Sequence, residues 1–136
     1  MTSQSSSPDY LPSDYLRSFT NRYNVYQRRY AEQPRESDKV LIGLVADAVS
    51  LRLKAGERVS LLDIGCSTGN FLFHLKNAQP GLDITGGDLA ASAIEGCKAD
   101  PRLEGVEFQV MDIFDLPVNS FDVIVANAVA VYFNNA

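Results

Sequence analysis

The sequence predicts an α/β fold in which a doubly wound parallel sheet is covered by helices. Short, continuous apolar runs alternate with segments of helical period between residues 59 and 131, and a glycine-containing loop joins the first apolar run to the helix that follows. Continuous apolar runs are typical of parallel strands buried on both faces. Because strand, helix and strand units connect by right-handed crossovers, their repetition produces a doubly wound sheet.

The N-terminal part is predicted to be a leader followed by one helix. Residues 1–12 are rich in serine and have no period, so we expect a mobile leader. From Ser13 to Pro34 the spacing of the aromatic residues is helical. One stripe contains Tyr15, Phe19, Tyr23, Tyr26 and Tyr30. We expect residues 1–36 to form this leader and helix, and residues 37–136 to form the α/β domain.

A second helix is predicted to begin near Ser37 and to end before Gly56, a residue type common just after helix ends. Its apolar face should pack on the sheet. The residues of that face are Leu41, Leu44, Val45, Ala48 and Leu51.

The strands and helices of the α/β part follow in alternation. We expect strands at residues 59–64, 83–87, 106–111 and 123–131, and helices at residues 70–78 and 90–99. The turn residues agree with these bounds, because Pro80, Pro101 and Pro117 each precede one of the later strands.

Composition narrows the classes of function. The net charge of −5 argues against nucleic-acid binding, and no apolar run is long enough to span a membrane. Cys66 and Cys97 lie in apolar patterns without the spacing of a disulfide or a metal site, so we interpret them as packing residues. These features favour a cytoplasmic domain that uses no metal.

Glycine and acidic residues collect where successive predicted strands end. Gly65 and Gly69 allow the backbone to turn sharply and to approach a ligand. Asp88 follows the second strand, where a carboxylate can accept both hydroxyls of a ribose. Asp112 follows the third strand and suits the amino group of an adenine, with Asp115 as the alternative in the same loop. Together they predict a site for an adenosine-containing cofactor.

Through the segments DIGCSTG, GGDLA and VMDIFDLP, the chain resembles the class I S-adenosylmethionine-dependent methyltransferases from about Lys39 to Phe133. The family's first motif corresponds to Asp63, Gly65 and Gly69, with Ser67 where many members have glycine. The resemblance implies a Rossmann-like sheet of strand order 3-2-1-4-5, with the first four strands present.

The resemblance also implies the cofactor, S-adenosylmethionine, and the residues that bind it. The loop would hold the methionine part, Asp88 the ribose, and Leu89 one face of the adenine. Asp112 and the Ile113 amide would bind the adenine edge, and Asn127 would lie near the methionine amine. The full predicted set is Asp63, Gly65, Cys66, Ser67, Gly69, Asp88, Leu89, Asp112, Ile113 and Asn127.

Several residues have structural alternatives to a role in the site. Asp63 could cap the next helix or bind loop amides, and Asp88 could be the N-cap of the helix after the second strand. His74, the single histidine, is interpreted as structural rather than as a base. The aromatic stripe is either core or a lid over the cofactor. The candidate lid residues are Tyr23, Tyr26 and Tyr30.

The predicted function is methyl transfer to a small-molecule acceptor by in-line displacement, with no catalytic residue identified. A DNA base is disfavoured, because Ala128 and Val129 follow Asn127 in place of the Pro-Pro-aromatic signature of nucleic-acid amino methyltransferases. A dehydrogenase is disfavoured because the loop lacks a third glycine and a pyrophosphate would face Asp63.

The alternative from another class is a non-catalytic cofactor-binding half, or a docking module that needs a partner. Because the sequence ends at Ala136, just after the predicted fourth strand, we also expect this chain to be inactive alone and to self-associate through the edge of that strand.

Overall fold

The computed structural model describes residues 29–116 and 120–127. Residues 29–32 form one helical turn that belongs to a separate N-terminal unit, and the remaining described residues belong to a unit that begins at Gln33. The elements of the second unit are α1 (Glu36–Lys54), β1 (Ser60–Ile64), α2 (Asn70–Ala78), β2 (Asp83–Asp88), α3 (Ala91–Ala99), β3 (Glu107–Val110) and β4 (Val123–Val125). Single 3-10 turns occur at Pro101–Leu103 and Ile113–Asp115.

The four strands are parallel and lie in the order β3-β2-β1-β4. This confirms the predicted Rossmann-like, doubly wound architecture. The helix α2 has the predicted bounds, and β1, β2 and α3 agree with the prediction to within one residue. Because all strands run the same way, their carboxyl ends lie at one edge of the sheet, where ligands bind in open α/β folds.

The core forms around β1, whose Leu61 and Leu62 are fully buried, and α2, whose Leu72 and Leu75 are fully buried. Gly86 in β2 permits this packing. A Cβ there would lie 2.6 Å from Phe108 Cε1 of β3 and 2.9 Å from Leu72 Cδ1 of α2.

The predicted buried face of α1 is wrong in part. Leu44 and Leu51 are 60% and 80% exposed, and Ala48 is exposed as well. The side chains that α1 buries are Asp38, Val45 and Val49, with Leu41, Ile42 and Leu53 partly buried. Apolar residues occur on more than one side of this helix. Hydrophobic periodicity also treats an acid such as Asp38 as exposed, so it predicted a buried face next to the one that is buried in the structure.

The fourth strand is shorter than the predicted range of 123–131. It ends at Val125, Ala126 and Asn127 lie beyond it, and residues 128–131 lie outside the described part. The last register pair of β4 with β1 is Val125 with Asp63, one residue before β1 itself ends.

In the described residues β4 pairs with β1 alone. Self-association through its other edge stays a prediction.

Candidate functional site

The loop between β1 and α2 turns through three residues in the left-handed region. Gly65, Ser67 and Gly69 have φ values of +84°, +51° and +79°. This region favours glycine and disfavours other residues because of their Cβ. Ser67 therefore has a backbone conformation that glycine adopts more readily than serine does.

Gly69 is required for packing as well as for its conformation. A Cβ at Gly69 would lie 2.5 Å from Leu103 Cδ1 in the 3-10 turn after α3. The next residue, Asn70, begins α2, so the N-terminus of this helix lies at the same edge of the sheet as the loop. Helix N-termini favour negative or polar ligand groups through their amides.

Asp88, the last residue of β2, is held by two backbone amides. Its Oδ2 accepts from the Ser67 amide and its Oδ1 from the Ala90 amide, both at 2.9 Å. The N-cap of α3 is Ala90, so the alternative that Asp88 is the N-cap is wrong. Each carboxylate oxygen has a second lone pair, and both remain suited to accept from ribose hydroxyls.

Asp63 is the most unusual group at this edge. Its side chain is 2% exposed, and its Oδ1 atom is buried without a hydrogen-bond partner among the described residues. Burial raises the pKa of Asp63 well above its ordinary value, and the negative charges of Asp38 and Asp88 raise it further. The helix-capping alternative is wrong, since Gly69 occupies the N-cap of α2.

The segment after β3 presents both a polar and an apolar group. Asp112 is the N-cap of the turn Ile113–Asp115, and its Oδ1 accepts from the Phe114 amide at 2.9 Å. Leu89, after β2, is 72% exposed, and Phe114 is 80% exposed. Large apolar side chains in water at a polar edge indicate a contact surface for an apolar ligand group. The sequence analysis missed Phe114, although a phenylalanine between two acidic loop residues is a detectable signal.

Asn127 lies just beyond β4 and contacts the start of α1. Its Nδ2 donates to Asp38 Oδ1 at 3.0 Å. Asp38 is 1% exposed and also pairs with the Arg35 guanidinium, with Nη2 to Oδ1 at 2.8 Å. The sequence analysis missed both Arg35 and Asp38. An acid three residues after a helix N-cap is a known start signal, but arginine is not a usual capping residue.

Cys66, Cys97 and His74 are buried within the protein. Cys97 Sγ donates to the Ser67 carbonyl at 3.1 Å, so α3 supports the loop from behind. A hydrogen bond between the two thiols raises the pKa of Cys66 and lowers that of Cys97. His74 lies on α2 with its ring centroid 5.2 Å from that of Phe73.

The lid prediction stays untested. Tyr23 and Tyr26 lie outside the described residues, whereas Tyr30 lies in the helical turn at 29–32, with the Arg29 guanidinium over its ring. Within residues 29–116 and 120–127 we find no cluster of three potential metal ligands and no helix both long and apolar enough to cross a bilayer.

The candidate site is therefore an acidic edge beside a glycine loop. The charges of Asp38 and Asp88 both raise the pKa of Asp63. An acidic edge favours a cationic ligand group over a phosphate.

A cavity of about 390 Å³ lies away from this site, between the end of α3 and the start of β3, and no predicted site residue lines it.

Fold and site together define a Rossmann-like domain of the cofactor-binding kind. Residues 55–136 match the methyltransferase domain family, and the chain belongs to it as a class I, S-adenosylmethionine-dependent methyltransferase domain. The chain is 30% identical over 115 residues to a malonyl-[acyl-carrier protein] O-methyltransferase of Bacillus anthracis, covering 84% of this chain and 42% of that protein. A protein of the same name from Acetivibrio thermocellus is 33% identical over 86 residues, covering 62% of this chain and 30% of that protein.

Solved structures agree with this assignment. The plantazolicin methyltransferase BpumL, crystallised with a pentazolic desmethylPZN analog and SAH, superposes with a TM-score of 0.58 at 26% identity. That match covers 84% of this chain and 41% of BpumL. The chain thus spans less than half the length of these relatives.

Proposed function

We propose that this domain binds S-adenosylmethionine and serves the transfer of its methyl group to a small-molecule acceptor. The observation that carries the proposal is the Asp63 carboxyl, which is buried beside the glycine loop and whose Oδ1 has no hydrogen-bond partner in the part of the chain that the structure describes. An unsatisfied buried acceptor costs about 1–3 kcal/mol. A ligand that brings an ammonium group to this atom would satisfy it, and the amino-acid end of S-adenosylmethionine carries such a group.

The other predicted residues fit the rest of the cofactor. Asp88 suits the ribose hydroxyls, because its carboxylate is fixed by the Ser67 and Ala90 amides. Leu89 would lie on one face of the adenine, with Asp112 and the Ile113 amide at its edge. We add Phe114 as a further apolar contact, because its side chain is 80% exposed at the same end of the sheet.

When bound, the cofactor supplies an electrophilic methyl group on a sulfonium sulfur. Such a displacement depends mainly on the distance and alignment of the reacting atoms. The residues of this chain would accordingly bind the cofactor and orient its methyl group toward the acceptor. The Gly65–Gly69 loop would approach the methionine part closely, and the acidic edge would stabilise positive charge near it.

The same charges weigh against a dinucleotide. A pyrophosphate at this loop would lie beside Asp88, and beside Asp63 wherever that carboxyl is ionised, so that like charges would repel one another. The acidic edge is thus better matched to an adenosyl ligand bearing a sulfonium and an ammonium group.

The acceptor is the finer part of the proposal. The curated relatives named above are malonyl-[acyl-carrier protein] O-methyltransferases. A carboxyl group on a small acyl thioester is therefore the first acceptor to test. A non-catalytic cofactor-binding half is the second candidate, because the chain spans 42% of the Bacillus anthracis relative.

Calorimetry on the 136-residue chain tests the cofactor. We expect binding of S-adenosylmethionine and S-adenosylhomocysteine and no binding of NAD. The matched control is Asp47→Asn, an exposed acid of α1, which should bind both adenosyl ligands as the unaltered chain does. Binding of NAD without either adenosyl ligand would overturn the proposal.

Transfer of a labelled methyl group to malonyl thioesters tests the activity separately. Tight cofactor binding with no transfer by either this chain or a longer protein that contains it would favour the non-catalytic candidate.

A further inference from the structure

Asp38 is an acid on the buried side of α1, and its carboxylate accepts hydrogen bonds from two residues, Arg35 and Asn127. Arg35 donates to Oδ2 from its backbone amide at 3.1 Å and from Nε at 3.0 Å, and to Oδ1 from Nη2 at 2.8 Å. Asn127 donates to Oδ1 from Nδ2 at 3.0 Å. The carboxylate therefore joins the first turn of α1 to the chain just after β4, 89 residues further along.

The charge state of Asp38 determines how Asn127 is oriented. Burial alone would raise the pKa of Asp38, but the hydrogen bonds from Arg35 and Asn127 hold it below its ordinary value. An ionised carboxylate only accepts hydrogen bonds, whereas an amide has a donating nitrogen and an accepting oxygen. Asp38 thus selects the amide nitrogen of Asn127, and the amide oxygen is turned away from it.

Asn127 lies at the same edge of the sheet as Asp63. It follows Val125 by two residues, and Val125 is the register partner of Asp63 across the β1 and β4 pair. The charges of Asp38 and Arg35 both reach Asp63, since Asp38 raises the pKa of Asp63 and Arg35 lowers it. Asn127 Oδ1 and Asp63 Oδ1 are therefore two oxygen acceptors at one edge of the sheet.

We propose that Asp38 is a positioning residue for the amino-acid end of the cofactor: it accepts from the Asn127 amide nitrogen and so presents the Asn127 amide oxygen to the ligand ammonium group. This inference rests on the proposed function. Arg35 has the supporting part, because its guanidinium keeps Asp38 ionised and therefore keeps the Asn127 amide in one orientation.

The Asp38 carboxylate thus links two segments that are far apart in the sequence. Docking of the first turn of α1 and alignment of the residue after β4 depend on the same carboxylate. A side chain that merely packed α1 against the sheet would affect all ligands of the site equally. A positioning role affects only ligands that carry the ammonium group.

The test compares two ligands that differ at that end. S-adenosylhomocysteine carries the amino-acid end, and 5′-methylthioadenosine retains the adenosine and the thioether without it. In Asp38→Asn and in Asn127→Ala, we expect the affinity for S-adenosylhomocysteine to fall roughly 10-fold or more, as for a lost hydrogen bond to a charged group. The affinity for 5′-methylthioadenosine should stay within about twofold in both variants, since neither substitution touches the adenosine part.

Two further measurements sharpen the result. The double variant should lose less than the product of the single losses, because both substitutions remove one contact. The matched control Asp47→Asn, on the exposed side of the same helix, should change neither affinity. Circular dichroism verifies that each variant folds, and Asn127→Ala, at a half-buried position outside helix and strand, carries the test if Asp38→Asn does not fold.

Equal losses for both ligands would overturn the inference in favour of a packing role, and so would an unchanged affinity for S-adenosylhomocysteine. Failure of the proposed function has a different signature, because the unaltered chain would then bind neither ligand.

Discussion

Replacing Asp63 with asparagine should stabilise the ligand-free protein at neutral pH and weaken its binding of the cofactor. The side chain is 2% exposed, and its Oδ1 has no partner among the described residues. Asparagine has the same shape without the charge. The substitution therefore removes the cost of burying a negative charge and the repulsion of that charge with Asp38 and Asp88, at little change in volume.

The gain follows from the raised pKa of Asp63. At pH values below the unfolded pKa, about 3.9, the carboxyl is protonated in both states and contributes no ionisation penalty. As the pH rises through the raised folded pKa, the unfolded state releases the proton more readily, so the unaltered protein loses stability. Each pH unit between the two pKa values contributes about 1.4 kcal/mol. At pH 7 the gain for Asp63→Asn should therefore be about 1.4 kcal/mol for each pH unit, counted up to pH 7, by which folding raises the pKa of Asp63.

Urea denaturation between pH 4 and pH 8 measures this difference in the free energy of unfolding. Because all other titrating groups are shared, the difference between the two proteins isolates Asp63. It should grow with pH and level off above the folded pKa. Asp47→Asn, an exposed site on α1, should show no such trend. A difference that does not vary with pH, or a variant that is less stable at pH 7, would refute the reasoning.

Two other substitutions test the remaining parts of the site. Asp88→Ala should weaken S-adenosylhomocysteine binding by about 1–3 kcal/mol in calorimetry, because the ribose loses an acceptor. Asp83→Ala, at the exposed start of the same strand, should leave the affinity unchanged. If Asp88→Ala binds the ligand as tightly as the unaltered chain does, Asp88 does not belong to the site. Gly69→Ala should lower the free energy of unfolding by at least about 1–2 kcal/mol in urea, since it forces a Cβ at positive φ, and that Cβ would lie 2.5 Å from Leu103 Cδ1. The control is Gly96→Ala on α3, where a Cβ would meet open space; it should be neutral or stabilising by up to about 1 kcal/mol. If both variants lose the same free energy of unfolding, the packing argument for Gly69 is wrong.

The local sequence pattern was sufficient to predict a strand where all of its residues are buried. The run from Leu61 to Ile64 is buried on both faces, so its apolar residues predicted a strand whichever face each residue occupies. The bounds of α2 were also predictable, because a glycine at positive φ precedes Asn70 and a proline follows the helix end. The glycine loop and the acids at the ends of β2 and β3 follow from the same local signals.

Hydrophobic periodicity did not predict the buried face of α1, where a polar residue is buried with a partner that is distant in the sequence. Asp38 lies on the buried side of α1 because Arg35 and Asn127 satisfy it, and Asn127 is 89 residues away. Leu44 and Leu51 lie outside on the same helix, although both belong to its predicted face. Hydrophobic periodicity measures the average polarity of a helix side, and it contains no information about which partner will meet an acid there.

The sequence by itself determined the alternation of strands and helices, the position of the glycine loop and the order in which the acids follow the strands. These features depend on residues within a few positions of one another. Only the tertiary structure decided that Asp38 and Asn127 meet and that one oxygen of Asp63 has no partner among residues 29–116 and 120–127. The physical reason is that burial and pairing of charges depend on neighbours brought together from distant parts of the chain, where solvation is lost and each partner must replace water.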